Sequence, residues 1–273
     1  MSLPSKPNPL AAPRLWNLVA RTYTDEIAPH QAMYAQDALR LAGVAPGMSI
    51  ADVACGPGDL TFAAARRGAC VCAVDFSPEM IDCLQERALR DGMTSVEARV
   101  GDGMALPYAD GSFDCAFSLF GLIFFPDRAQ GLRELWRILK PGGRAVVGSW
   151  VPFNRVPILD DIYRTLGGMV PSLPFNGHKA PLGDATEFRA EMMAAGFCEV
   201  EIHEIAHARE VANVDEYWNM LARSTPPLHA VREALGQEQW PGVVQQLLGS
   251  LREKWGPGPQ CVSLIANLAV GRH

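Results

Sequence analysis

Three aspartates, Asp52, Asp75 and Asp102, sit within or just beyond apolar runs, separated by 23 and 27 residues. That spacing is about one strand-plus-helix unit, so the three carboxylates are expected along one edge of a sheet. An ionised carboxylate accepts two or more hydrogen bonds and donates none. An acid after a second strand suits the 2′,3′-diol of a ribose, and one after a third strand suits the exocyclic amine of adenine. Phe76 and Met80 would flank the purine. Between the first two acids lies Cys55-Gly56-Pro57-Gly58. Gly56 and Gly58 permit backbone angles that a side chain obstructs, and the following helix turns its free N–H groups toward the bend. Two glycines and a proline also serve a plain tight connection; the downstream acids favour a ligand seat. No lysine follows the glycines, so the pocket shows no demand for phosphate charge. Together these residues describe a nucleoside site.

Positioning them requires alternating strands and helices. The spacing predicts strands at 50–54, 69–75, 96–100, 113–119 and 145–150, with a helix at 59–67 closed by Gly68. Ser77 as N-cap and Pro78 as first residue open another helix, with Ile81, Leu84, Ala88 and Leu89 on one face. Asp127 caps a helix whose apolar face is Leu132, Leu135, Trp136 and Leu139, and Lys140-Pro141-Gly142-Gly143 is read as the turn that stops it. Short connections between alternating elements define an α/β, doubly wound, mostly parallel sheet, with ligands beyond the carboxyl ends of the strands. Upstream, 15–41 reads as one or two helices with a break near Pro29. After Trp150 the rhythm changes. Residues 151–183 carry five prolines and an amphipathic stretch. A helix at 184–195, a strand at 198–206, helices at 213–223 and 239–254, and a strand at 261–270 complete the chain.

The 273 residues, 48% hydrophobic, are ample for a sizeable core. A net charge of −6, with only four lysines, disfavours a nucleic-acid partner. Seven cysteines occur without a C-x-x-C pair, which argues against zinc or any other metal and for a reducing compartment. Residues 1–14 are polar and carry prolines at 4, 7, 9 and 13, unlike a cleavable leader, and no run approaches the roughly 20 apolar residues of a membrane span. The expected location is the cytoplasm.

Five stretches in order, D-V-A-C-G-P-G (52–58), V-D-F-S-P-E-M (74–80), G-D-G-M-A-L-P (101–107), F-D-C-A-F-S (113–118) and L-K-P-G-G-R (139–144), resemble class I S-adenosylmethionine-dependent methyltransferases. The likeness is to the small-molecule group that includes ubiquinone and menaquinone biosynthesis C-methyltransferases. It covers about 45–150 closely and extends weakly over 195–197 and the final strand. The resemblance implies a seven-stranded sheet with the last strand antiparallel and S-adenosylmethionine across the ends of strands one to four. It implies a helical lid at 1–44, with Tyr23 closing over the cofactor, and a catalytic domain at 45–273 with helical cap insertions at 151–183 and 210–258. Gly56 and Gly58 would pass the methionine moiety, Asp52 would support its ammonium, Asp75 the ribose and Asp102 the adenine amine. Gly103 and Met104 would contact the ring and Ser118 the methionine end. Ala54 departs from the glycine usual there, a mild change.

Methyl transfer to an amine needs an unprotonated nucleophile, whereas a phenol or activated ring carbon needs a general base. His178 and His229, one in each insertion, are the candidates; a solvated loop position is the plain alternative for both. The stretch 118–126 is apolar where base-modifying amino-methyltransferases carry an Asn/Asp-Pro-Pro-aromatic signature, so the expected partner is a small apolar or aromatic metabolite. No Pro-Cys dipeptide supplies a nucleophile for pyrimidine C5 methylation. A nicotinamide dehydrogenase would share the layout, but the third position of its glycine fingerprint falls on Thr61, and it leaves Asp52 and Asp102 without a role. An RNA or protein methyltransferase and a non-catalytic nucleoside-binding protein of the same fold are the remaining alternatives.

Overall fold

The computed structural model describes residues 8–169 and 180–273 of the protein. Apolar, β-prone runs form β1 (Ser49–Val53), β2 (Cys70–Asp75), β3 (Val96–Val100), β4 (Phe113–Leu119), β5 (Leu139–Trp150), β6 (Cys198–Val211) and β7 (Gln260–Arg272). Among the described residues these form one seven-stranded sheet in the order β3-β2-β1-β4-β5-β7-β6. Pairings from β3 through β5 are parallel, and β7 runs antiparallel to both β5 and β6. The strand order reverses at β1, which has β2 on one side and β4 on the other, so a crevice opens beyond its carboxyl end.

Helices cover both faces. On one, Leu39 of α2 (Ala28–Ala42) and Leu60 and Ala64 of α3 (Asp59–Arg66) pack on Ile50, Val71, Phe117 and Val146. On the other, Leu132 and Leu135 of α5 (Arg128–Arg137) and Phe188 and Met192 of α7 (Ala185–Ala194) pack on Ala51, Val53, Ala116 and Val147. Each such fully buried Leu or Phe contributes about 1.5–3 kcal/mol of transfer free energy. α1 (Arg14–Glu26) lies against α4 (Pro78–Arg90), whose N-cap Ser77 donates its hydroxyl to Asn17 Oδ1 at 2.6 Å. The helix break falls at Ile27, and Pro29 sits in the first turn of α2.

The stretch 139–143 differs from the expected turn. α5 ends at Arg137 and the chain enters β5 directly, pairing Phe113 with Leu139 and then Cys115 with Arg144. The extra residues bulge out of the ladder, where Lys140 Nζ meets Asp114 Oδ1 at 2.7 Å. The glycines thus accommodate a bulge within a strand. The last two strands run longer than their sequence patterns indicate. β7 pairs with β5 only as far as Ala266, opposite Trp150, whereas its pairing with β6 continues to Val211 opposite Gln260. This two-stranded arm carries Val211 and Val262 into a separate apolar cluster with α6 (Pro157–Met169), α8 (Val214–Ser224) and α9 (Pro226–Trp255), centred on Ile162, Trp218, Leu228 and Leu247. α9 is broken at Gly236, whose φ of +76° lies in the left-handed region. These helices form the cap. No described helix is long and apolar enough to cross a membrane.

Candidate functional site

A cavity of about 350 Å³ occupies the crevice beyond β1, within the range of small-molecule sites, ~300–1,000 Å³. Its floor is the glycine turn. Asp75, at the end of β2, accepts the Gly56 N–H on Oδ2 and the Ser77 N–H on Oδ1, both at 2.9 Å. Each oxygen retains a lone pair for a further donor. Arg87 of α4 braces the same turn, donating to the Pro57 carbonyl at 2.7 Å and to Asp59 Oδ1 at 3.1 Å. Gly56 has φ +53°, and a Cβ built on it would meet no atom within 4 Å, so open space stands directly over its backbone. Asp52 accepts the Thr61 hydroxyl at 2.6 Å. Asp102 folds one oxygen back onto the Met104 N–H at 2.8 Å, a local turn that leaves its other oxygen uncommitted.

Asp52, Asp75 and Asp102 all line this cavity, with Asp59, which is already paired with Arg87; among the described lining residues no Lys or Arg faces the other three. Burial raises the Asp52 carboxyl to about 7, helped by the charge of Asp75 and opposed by the Thr61 hydrogen bond. Burial likewise raises Asp75 to about 6, against the Ser77 and Gly56 N–H groups. The Cys55 thiol is pushed well above its ordinary value by burial and by these two acids. Three carboxylates without a paired cation, Asp52, Asp75 and Asp102, favour a ligand that brings positive charge and hydroxyl donors. These features, with the bare Gly56 backbone, fit a cationic nucleoside such as S-adenosylmethionine.

Tyr23, Gly56, Phe76, Met80, Gly103 and Met104 also line the cavity. The Tyr23 hydroxyl donates to Gln31 Oε1 at 2.7 Å, joining α1 to α2 over the opening. Gly58 and Ser118 are placed elsewhere. Gly58 has φ +89°, and a Cβ there would come 2.7 Å from Leu84 and 3.1 Å from Phe62; close helix packing, not ligand approach, needs this glycine. Ser118 is fully buried, on the β4 face that Ala116 presents to α5, and its Oγ has no partner among the described residues. Strand alternation turns Leu119 into the cavity instead. His229 lines neither this cavity nor its neighbour; its Nε2 lies 3.2 Å from the Arg223 carbonyl. His178 lies outside the described residues.

Ala54 proves less neutral than its small size suggests. Its φ of +56° is left-handed, and a Cβ on Gly121 would come 2.2 Å from the Ala54 Cβ. The residue in the glycine turn therefore dictates a glycine in the loop after β4. Phe120 next to it also has a left-handed φ, +62°, and stacks on Trp150 with centroids 4.0 Å apart.

A second cavity of about 270 Å³ adjoins the first and shares Trp16, Tyr23, Gln31, Phe120 and Phe124 with it. Its remaining walls come from the cap and the β6–β7 arm, including Trp150, Phe153, Tyr163, Tyr217 and Leu264. Trp16, Gln31, Asp59, Phe120 and Phe124 are not singled out by the motifs. Asp59 carried a usable signal as the first residue after the glycine turn; Trp16 and Gln31 reach the site only through the docking of α1 and α2.

Comparison with known proteins agrees with this geometry. Residues 51–147 match the family described as "Methyltransferase domain". A demethylmenaquinone methyltransferase of Thermus thermophilus is 35% identical over 164 residues, spanning 54% of this chain and 73% of the relative. An uncharacterized protein of Mycobacterium tuberculosis is 39% identical over 109 residues, 40% of this chain and 39% of that protein. The YcgJ protein of Bacillus subtilis superposes with a TM-score of 0.59 at 19% identity, covering 87% of this chain and 97% of that one, a likeness of fold. The chain belongs to the class I S-adenosylmethionine-dependent methyltransferases. Its match to the mycobacterial relative spans well under half of that protein's length.

Proposed function

We propose that the protein transfers a methyl group from S-adenosylmethionine, held in the first cavity, to a small acceptor held in the second. The observation that carries this reading is the shared wall of Trp16, Tyr23, Gln31, Phe120 and Phe124 between an acidic cavity and an aromatic one. When bound, the cofactor supplies an electrophilic sulfonium methyl. The contribution of the chain is alignment and exclusion of water. Asp75 and Asp102 hold opposite ends of the nucleoside, Asp52 balances the positive charge, and the aromatic wall keeps the transfer zone dry. The Thermus relative carries the name of a demethylmenaquinone methyltransferase. An acceptor with an apolar ring system is compatible with the aromatic lining here.

Isothermal titration with S-adenosylhomocysteine and with NAD tests the first half. Binding of the first and not the second is expected; NAD binding alone overturns the assignment. Transfer of label from methyl-labelled S-adenosylmethionine to a panel of phenols, quinols and amines tests the second half. Cofactor binding without turnover on any acceptor would favour a non-catalytic nucleoside-binding role.

A further inference from the structure

We infer that the second cavity selects an acceptor whose apolar ring body carries an anionic oxygen, received between the guanidinium of Arg209 and Nε2 of His30. The inference rests on the reading of that cavity as the acceptor site, and it adds a charge requirement that an aromatic lining does not impose.

The placement follows from the β6 arm. Alternation puts Ile205, His207, Arg209 and Val211 on the inward face of β6, each less exposed than its strand neighbours. His207 meets α2 directly: its Nε2 lies 2.7 Å from Asp37 Oδ2, and its ring stands edge-on to Tyr34 at 4.7 Å. Arg209 follows His207 by two residues on the same face of the strand, and on α2 His30 sits one turn before Tyr34. Both Arg209 and His30 line the second cavity.

Among the described residues, neither has a polar partner that explains it. His30 is 7% exposed, and its Nε2 is buried without a hydrogen bond among the described residues. Its ring is held edge-on to Tyr34 at 5.9 Å. Burial, and then the charges of Arg209 and His207, push its imidazole down to about 4, so at neutral pH it is an uncharged polar group facing apolar walls. Arg209 is half-buried, and among the described residues it has no ion pair. Other arginines of this chain pair with carboxylates: Arg14 with Glu233, Arg21 with Glu86, Arg155 with Glu204, Arg223 with Glu26. None of the described residues lining the second cavity is Asp or Glu, and the stretches 1–7 and 170–179 contain neither.

A cation beside apolar walls lacks the water that would screen it, so its attraction for an anion is stronger there than at the surface. A carboxylate or phenolate would take one or two charge-assisted hydrogen bonds from the guanidinium and one from the Nε2–H tautomer of His30. The two cavities thereby have opposite character. Asp52, Asp75 and Asp102 receive a cationic ligand in the first, while Arg209 receives an anionic one in the second. That contrast opposes entry of each ligand into the wrong cavity.

The test uses a matched pair of probes, 2-naphthoate and 2-naphthamide, titrated at neutral pH into the full-length protein with and without saturating S-adenosylhomocysteine. The wild type is expected to bind the anion at least about tenfold more tightly than the amide, the order of a charge-assisted pair. Arg209→Gln should bring the two within about twofold, Arg209→Lys should keep part of the preference, and His30→Phe should reduce it. Unchanged S-adenosylhomocysteine affinity in each variant shows that the fold and the first cavity are intact. Equal binding of the two probes by the wild type, a preference that survives in Arg209→Gln, or no naphthoate binding at millimolar concentration each overturns the inference. The two readings separate: absence of S-adenosylhomocysteine binding to the wild type sinks the methyl-transfer reading, while the naphthoate-to-naphthamide ratio still reports on Arg209.

Discussion

Replacing Asp52 by Asn converts the most heavily penalised carboxylate of the site into a neutral isostere that still offers Thr61 an oxygen. Asp52 is 2% exposed, and burial lifts its carboxyl from 3.8 to about 7. Between those values the folded protein holds a proton that the unfolded chain has released, so stability must fall as pH rises through the window. At about 1.4 kcal/mol per pH unit, the full displacement corresponds to about 4 kcal/mol, of which about 3 kcal/mol falls between pH 5 and pH 7. The Asn variant lacks this loss. Urea denaturation of both ligand-free proteins at pH 5 and pH 8 is expected to show the variant gaining on the wild type by a few kcal/mol at the higher pH. The comparison cancels the many surface carboxylates that titrate identically in both. Cofactor-product binding should show the converse. On the proposed role of Asp52, a ligand ammonium seated on the ionised carboxylate makes binding below pH 7 expel a proton, and S-adenosylhomocysteine affinity should drop by up to about tenfold per unit of acidification. In Asp52→Asn that dependence should flatten and affinity at pH 8 should be lower. A stability difference between the two proteins that is the same at pH 5 and pH 8 would refute the reasoning.

Other perturbations follow from single contacts. Asp75→Ala strands the buried N–H of Ser77 and frees the part-buried N–H of Gly56, so it should cost about 1–3 kcal/mol as well as cofactor affinity; thermal denaturation and calorimetry measure the two losses separately. Gly121→Ala drives a methyl against the Ala54 Cβ and should destabilise by about 1–3 kcal/mol, and adding Ala54→Gly should recover most of it, a coupling that a double-mutant cycle in urea reads directly. Arg87→Met removes the brace on Pro57 and Asp59, and is expected to weaken S-adenosylhomocysteine binding by severalfold with only a small fall in melting temperature. Tyr34→Phe deletes the 2.7 Å bond to the Leu264 carbonyl on the β6–β7 arm and should cost about 1 kcal/mol in denaturant unfolding.

The order of strands and helices, the glycine turn and the three acids were legible along the chain because each depends on neighbours within about ten residues. A helix cap such as Ser77, accepting from Met80 N–H, or an acid at a strand end is a local decision of backbone geometry and side-chain chemistry. The bulge at 139–143 departs from the sequence pattern for the same reason in reverse: Pro-Gly-Gly is the local signature of a turn, and only pairing with β4 and the Lys140–Asp114 contact keep that stretch in the ladder. Gly58 and Gly56 read identically in sequence, yet Leu84 sits over one and open space over the other.

The chain by itself determined that carboxylates and a side-chain-free bend would converge at the ends of parallel strands, since period and connection length leave a doubly wound sheet little choice. Tertiary structure alone decided what faces that edge. Trp16 and Gln31 from the first helices, Phe120 in its left-handed backbone, and His30 with Arg209 across the arm are drawn together over as many as 193 residues of chain. No periodicity encodes such meetings, because they depend on how separately folded layers dock, and docking is set by the summed shape and burial of whole faces.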